Sequence, residues 1–423
     1  MTEPAGGMKD LLKSVAKDCG TGVLSVAADA RADSVPRIST GIFWLDVATG
    51  GGIPSGRMTM IYGRRSAGKS TLAAKIAAHA QRMCRVCRGS VVFEDQEGPR
   101  KIKEVDENGA IVEVERIVRT PVAVDCENKC RLGGTDGTAK RKSWPGRMKI
   151  LWCDAERVFD LAYNRQIFDC DGDDVWLLTP TSGEQAADII DGSIRTTEVD
   201  LVVVDSLAML IPMKERDDSA EQMHMALQAR LVNRAIQTWN SSMTAVANAG
   251  QTACSMVLLN QLRDKIGIFP IEIRPAGRAQ EFYSSVEIRL KQDARSIVNS
   301  MGTDHRPLWQ MTEFKVEKNK VSCPYMEGSY RQCLVAHKGR KPGDTWEDEV
   351  IIHAVMGEAM RRGFSSRKGG VTVIGRKFDG EDTLAEAVRS DPSFAKVLRS
   401  SMLALFVYSQ SDGELAKKKK DDD

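Results

Sequence analysis

The chain has 423 residues, enough for a large core and two or three domains. Its 60 basic and 58 acidic residues leave a formal charge of +2, which excludes a global nucleic-acid footprint and makes any basic surface local. No apolar run approaches the roughly 20 residues a bilayer needs, and the N-terminal MTEPAGGMKD lacks a basic region followed by an apolar one, so the expectation is a cytoplasmic protein without membrane partners.

Residues 8–18 read as a short amphipathic helix and 21–27 as a strand-like piece. A loop with Pro36 leads to Ile38-Ser39-Thr40-Gly41. The apolar run 58–62 (MTMIY) predicts a buried strand, and the Ala-rich stretch 71–81 predicts a helix. Between them lies Gly63-Arg64-Arg65-Ser66-Ala67-Gly68-Lys69-Ser70, with the G-x-x-x-x-G-K-S spacing of a P-loop. Strand, glycine loop and helix in that order form a phosphate cradle: backbone N–H groups turn toward an anion, and the helix N-terminus adds partial positive charge. Residues 63–70, with Thr71, are the expected nucleotide contacts. Lys69 reaches the β- and γ-phosphates, and Ser70 holds Mg²⁺.

Residues 84–147 interrupt the α/β rhythm with short alternating runs, Gly and Asn turns and four cysteines. They read as an all-β insertion. The rhythm resumes with strands over 148–153, 200–205 and 255–260 and helices over 183–196 and 221–249, then strands over 286–290 and 313–318. Alternation of this kind implies an α/β fold with a mostly parallel sheet covered on both faces. Residues 340–412 read as a small α+β unit, with helices near 347–362 and 382–407 around a strand at 371–374. The run KKKKDDD closes the chain as a solvated, disordered tail. The expected partition is an N-terminal oligomerisation segment (1–40), a core (41–83 and 148–338), the insertion (84–147), a C-terminal domain (339–412) and the tail (413–423).

Three strand ends carry chemistry. LVVVD, 201–205, ends in Asp205, the Walker B arrangement for holding Mg²⁺; a turn-capping Asp is the plainer alternative. The strand 148–153 runs into Asp154-Ala155-Glu156, where Glu156 is placed to orient an attacking water. The strand 255–259 ends in Asn260-Gln261, amides suited to sensing a γ-phosphate. The following stretch, 262–280, bears Arg263, Lys265, Arg274 and Arg278 among Gly and Pro. It reads as an irregular, ligand-gated binding loop or as a flexible surface connection.

Cys84-x-x-Cys87 and Cys126-x-x-x-Cys130 suit a tetrahedral Zn²⁺ that staples the insertion, the alternative being idle reduced thiols. Joining a helix's C-terminal end to a strand's N-terminal end, the insertion should point away from the phosphates. Its basic exit, with Arg131, Lys140, Arg141, Lys142 and Arg147 around Trp144, reads either as a contact for duplex DNA or a partner, or as a solvated linker.

These pieces, in this order, resemble the RecA family of DNA recombinases. The likeness rests on Ile38-Ser39-Thr40-Gly41, Gly51-Gly52-Ile53-Pro54, Asp154-Ala155-Glu156, Gly183-Glu184-Gln185-Ala186, Val204-Asp205-Ser206, Asn260-Gln261, Lys265-Ile266-Gly267, Phe282-Tyr283 and Lys318-Asn319-Lys320. It covers roughly 8–83 and 148–335, and more weakly 371–407. It implies a DNA-dependent ATPase that forms helical filaments on single-stranded DNA and pairs it with a homologous duplex. On that resemblance Asp160 and Tyr163 contact adenine, Gln261 couples ATP to the DNA loop, and Lys318 and Lys320 reach a neighbour's γ-phosphate. Residues 213–225 form the first DNA loop, followed by the DNA-contacting Arg230, and 262–280 form the second. Four departures stand out: no glycine in the first loop, Ala276-Gly277 in place of two glycines, Glu281 in place of a lysine, and a C-terminal tail of mixed charge in place of a simply acidic one. The competing readings are a ring motor (helicase or branch-migration ATPase) and an ATP-gated DNA coat with little turnover.

Overall fold

The computed structural model describes residues 35–88, 91–105, 111–128, 146–168, 170–217, 227–265, 271–292, 298–299, 307–336, 339–361 and 370–421. The expected helix at 8–18, the strand piece at 21–27, Cys130, residues 131–145 and most of the first DNA loop lie outside them.

A short pair, β1 (Arg37–Ile38) and β2 (Ile53–Pro54), flanks helix α1 (Phe43–Thr49). Strand β3 (Met58–Gly63) then feeds helix α2 (Lys69–Ala80). The insertion is one long antiparallel ribbon, β4 (Val91–Val105) with β5 (Ile111–Cys126), where the sequence suggested several short runs. Past it come β6 (Ile150–Asp154), α3 (Leu161–Phe168), β7 (Val175–Leu178), α4 (Gly183–Thr196) and β8 (Leu201–Asp205). Then follow α5 (Met213–Asp217), α6 (Leu227–Asn248) and β9 (Ser255–Gln261).

The stretch 262–280, expected to be irregular, contains a small hairpin, β10 (Arg263–Lys265) with β11 (Ile271–Ile273), and opens helix α7 (Ala279–Tyr283). Strands β12 (Val286–Gln292), β13 (Val298–Asn299), β14 (Pro307–Asn319) and β15 (Glu327–Cys333) complete the core. The nine-stranded sheet runs β13-β14-β12-β3-β9-β8-β6-β7, with β15 on β14. Neighbours from β12 through β7 are parallel, and β13, β14 and β15 add antiparallel pairs at one edge.

The parallel strands read as unbroken apolar runs because helices cover both faces. On one side Ile61, Trp152, Val203, Val257, Leu259 and Ile288 pack with Leu72, Ile76 and Ala77 of α2. On the other, Met60, Val202, Val204, Met256 and Leu258 pack with Ile190 and Ile194 of α4 and Val232, Ile236 and Trp239 of α6.

A third core gathers Phe43 and Val47 with α8 (Glu347–Arg361), β16 (Val371–Val373), β17 (Arg376–Phe378), α9 (Glu381–Ser390) and α10 (Pro392–Asp421). The single helix expected at 382–407 is two. Asp391 leaves helical geometry, its carboxylate accepts the Phe394 N–H at 2.9 Å, and Pro392 opens α10, the first helical position that proline favours. The charged run expected to be disordered continues α10 through Asp421. Glu414, Leu415, Ala416 and the four lysines that follow are good helix formers. Among the described residues no helix is long and apolar enough to cross a membrane.

Candidate nucleotide-binding site

Parallel register brings the C-terminal ends of β3, β9, β8 and β6 to one edge of the sheet. Gly63 pairs with Gln261, and Asp154 with Asp205. Asp205, Gln261 and, just past β6, Glu156 are therefore brought to one crevice, the usual ligand position in an open α/β sheet.

The glycine loop is shaped by backbone demands. Gly68 takes φ 83° and Ser66 φ 61°, turning the chain into α2. At Gly63 a Cβ would sit 2.4 Å from the Leu290 carbonyl oxygen, so β12 can pass there only against glycine. Lys69, at the start of α2, is nearly buried and its Nζ donates to the Arg64 carbonyl at 2.8 Å. Burial lowers its pKa from the usual 10.5, while Asp205 and Glu156 pull the other way.

Asp205 is 2 % exposed, and burial pushes its carboxyl up to about 6. The nearby Ser70 hydroxyl and the Lys69 ammonium favour the charged form, while Glu156 and Asp154 oppose it. Its buried Oδ2 has no hydrogen-bond partner. An orphaned carboxylate oxygen beside a P-loop hydroxyl is the donor set a hard divalent cation takes, so Ser70 and Asp205 fit Mg²⁺.

Glu156 is held from three directions. Its backbone N–H donates to the Asp205 carbonyl at 3.2 Å. Its carboxylate Oε1 accepts from Ser206 Oγ at 2.7 Å and from Gln261 Nε2 at 2.6 Å. Both donors use one oxygen, which leaves Oε2 for a water. Asp154, which sequence reasoning passed over, shapes this loop: its carboxylate accepts the N–H groups of Val158 (3.0 Å) and Phe159 (2.9 Å). The turn that follows β6 brings those N–H groups back to it, and no local residue pattern announces that turn.

Gln261 thus contacts the Glu156 carboxylate. Asn260 turns instead to the basic loop: fully buried, it donates to the Pro275 carbonyl (2.9 Å) and to Gln280 Oε1 (2.7 Å). The loop is also tied to the phosphate cradle. Leu262 N–H donates to the Gly63 carbonyl at 3.0 Å. Arg64 pairs with Asp264 at 2.9 Å and Glu272 at 2.8 Å, one carboxylate from each strand of the β10–β11 hairpin.

The basic residues divide. Arg263 and Arg278 are exposed, as is Arg230 on α6, and Lys265 ends β10. Arg274 is committed internally, to Glu287 at 2.6 Å and Glu281 at 3.3 Å with its guanidinium over the Tyr62 ring. The unexpected Glu281 is therefore matched by an arginine of its own chain. Asp160 caps α3 by accepting the Tyr163 N–H at 3.0 Å, and Tyr163 is 49 % exposed, a ring free to stack on a base. Arg65 is exposed beside the cradle, and Thr71 lies in the first turn of α2.

Lys318 and Lys320 are not brought to this crevice. Lys318 pairs with Glu287, which pairs with Met60, three residues and so about 10 Å behind Gly63 along the strand. Their ammonium groups donate to the carbonyls of Glu281 and Phe282 in α7.

The insertion leaves and rejoins the core at the opposite edge. Met148 N–H donates to the Met83 carbonyl at 3.0 Å, Arg85 N–H to the Gly146 carbonyl at 3.1 Å, and Cys84 bridges Arg147. The sulfurs of Cys84, Cys87 and Cys126 lie within 4.8 Å of one another.

The sequence model of the family described as RecA N-terminal domain matches residues 7–108 and 144–335, skipping the part of the insertion between. The chain is similar to the protein RecA of Fusobacterium nucleatum, 29 % identical over 329 residues, 76 % of this chain and 66 % of that one. It is similar to a protein RecA of Thermus thermophilus, 28 % identical over 415 residues, 96 % of this chain and 98 % of that one. It is also 30 % identical to the protein RecA of Trichodesmium erythraeum over 327 residues, 76 % of this chain and 69 % of that one.

Proposed function

The chain belongs to the RecA family, and from that premise we propose that it is a DNA-dependent ATPase that assembles as a helical filament on single-stranded DNA and promotes homologous pairing and strand exchange. The observation that carries the reading is the 2.6 Å bond from Gln261 to Glu156. It joins the carboxylate that positions water to the first step of a basic loop, so nucleotide state and loop position are one mechanical problem.

ATP would lie on the 63–71 loop, with Lys69 on its β- and γ-phosphates and Tyr163 against its base. Mg²⁺ held by Ser70 and Asp205 would neutralise charge that develops on the phosphate oxygens. Glu156 orients the attacking water. A γ-phosphate drawing Gln261 away would release Glu156 from one donor and shift the strand that carries Asn260 and the loop. Arg263, Lys265 and Arg278, with Arg230, would grip the DNA backbone, giving a salt-sensitive affinity. Arg274 supports the loop from beneath. Lys318 and Lys320 sit too far back for their own cradle, which favours action on the nucleotide of an adjacent protomer. ATP at such a junction makes filament geometry part of the site.

The test is ATP turnover with and without single-stranded DNA, followed by electron microscopy of the same mixtures. Stimulated turnover and helical filaments are expected. Turnover indifferent to DNA, or closed rings, would overturn the reading. Glu156→Gln should lower turnover about 100-fold or more while nucleotide binding persists.

A further inference from the structure

The insertion's base carries chemistry that the ATPase does not use. Cys84 and Cys126 are buried and Cys87 half-buried, at the foot of the β4–β5 ribbon. Cys87 Sγ and Cys126 Sγ stand 3.9 Å apart. That is far beyond the about 2.05 Å of a disulfide and matches the about 3.8 Å separating two thiolates on one tetrahedral ion with bonds of about 2.3 Å.

The backbone turn that carries the first two cysteines is itself fixed. Arg88 N–H closes the turn on the Cys84 carbonyl at 3.0 Å, and Arg88 takes φ 58° so that the chain can reverse behind Cys87. This is a preformed knuckle, with the third sulfur delivered from the last residue of β5, 39 positions away.

The knuckle is bolted to the core. Arg88, buried, pairs with Asp200 at 3.1 Å, and Arg85 reaches Asp200 at 3.5 Å and donates to the Thr197 carbonyl at 2.9 Å. Asp200 Oδ2 in turn accepts the Lys149 N–H at 2.9 Å. One cluster therefore fixes the ribbon's foot, the start of β6 and the turn into β8.

We propose that Cys84, Cys87 and Cys126 are ligands of a structural zinc ion that locks the ribbon to the sheet edge opposite the nucleotide crevice. Three soft, largely buried sulfurs select Zn²⁺ over Mg²⁺ or Ca²⁺, which prefer oxygen. The assignment concerns these three sulfurs, the cluster found among the described residues.

The decisive measurement is metal content of the intact full-length chain after gel filtration in a mild chelator, so the answer does not depend on any variant folding. One zinc per chain is expected, released by a thiol-modifying mercurial. A chain that leaves the column without zinc overturns the proposal, as does zinc retained in full by the Cys84→Ser/Cys87→Ser/Cys126→Ser variant. Cobalt substitution then counts thiolates by the sulfur-to-metal charge-transfer band. A band diminished in Cys126→Ser supports the assignment, and one unaffected by Cys126→Ser refutes it. Zinc-stripped protein should bind a Mg²⁺–nucleotide analogue within about twofold of the native Kd and become cleavable between residues 84 and 147. Ribbon cleavage unchanged by stripping would contradict the locking role. These readouts are independent of DNA-stimulated turnover, so failure here leaves the ATPase reading standing, and the reverse also holds.

Discussion

Asp205 should be a site where function opposes stability. Its carboxyl is displaced by burial from the ordinary 3.8 to about 6, which corresponds to about 3 kcal/mol of folding free energy. Because the folded pKa is the higher one, the stabilising contribution is complete below pH 3.8 and lost as pH rises through about 6. At neutral pH the protein carries a buried anion whose Oδ2 has no partner. Asp205→Asn removes that ionisation and leaves one buried amide donor unpaired, a cost of about 1–2 kcal/mol. Without nucleotide or metal, the variant should be more stable than the parent by about 1–2 kcal/mol at pH 8. The gap should close by about 1.4 kcal/mol at pH 5, where the parent carboxyl is largely protonated in the fold. Urea unfolding followed by fluorescence at both pH values measures this. Adding Mg²⁺ and a non-hydrolysable ATP analogue at 100 times the parent's Kd should then stabilise the parent by about 2.7 kcal/mol and the variant hardly at all. An Asp205→Asn protein less stable than the parent at pH 8, by an amount independent of pH, would refute the argument.

Three further outcomes follow from packing and charge. Gly63→Ala should cost about 1–3 kcal/mol and impair nucleotide binding, because the added methyl meets the Leu290 carbonyl, backbone that cannot swing aside; thermal unfolding and analogue titration report both effects. Arg399→Ala strips a 2.7 Å partner from the fully buried Asp46 and should destabilise by about 3 kcal/mol, the lower end for a broken buried pair, since Ser39 and Thr40 still donate to that carboxylate. Limited proteolysis should then release the C-terminal unit early. Arg64→Ala should leave the unfolding temperature unchanged, its two ion pairs lying near the surface, yet make the β10–β11 hairpin more open to protease in the absence of DNA. Hairpin cleavage equal to the parent's would show that the pairs do not hold it.

Whatever depends on neighbours along the chain was legible from residue order alone. A phosphate cradle is eight consecutive residues between a strand and a helix, so Gly63 to Ser70 could be read directly. Strands buried on both faces announce themselves as apolar runs, and a carboxylate at the end of LVVVD is a local fact. The two helices at 381–421 were legible in the same way, had Pro392 been given its weight as a helix opener. Tertiary structure decided whatever rests on register and on charge pairing across the sheet. Gln261 and Glu156 stand 105 residues apart and meet only because β9 and β6 end at one edge. Arg274 looks like its basic neighbours in the chain, but Glu287, Glu281 and Tyr62 surround it only after β12 pairs with β3. Lys318 is set back from its own cradle by the pairing of β14 with β12. Cys126 reaches Cys84 and Cys87 because a ribbon with fixed register returns it there. Local propensity and spacing are short-ranged, whereas which side chains converge is fixed by strand order, and strand order emerges only when the whole sheet buries its two faces together.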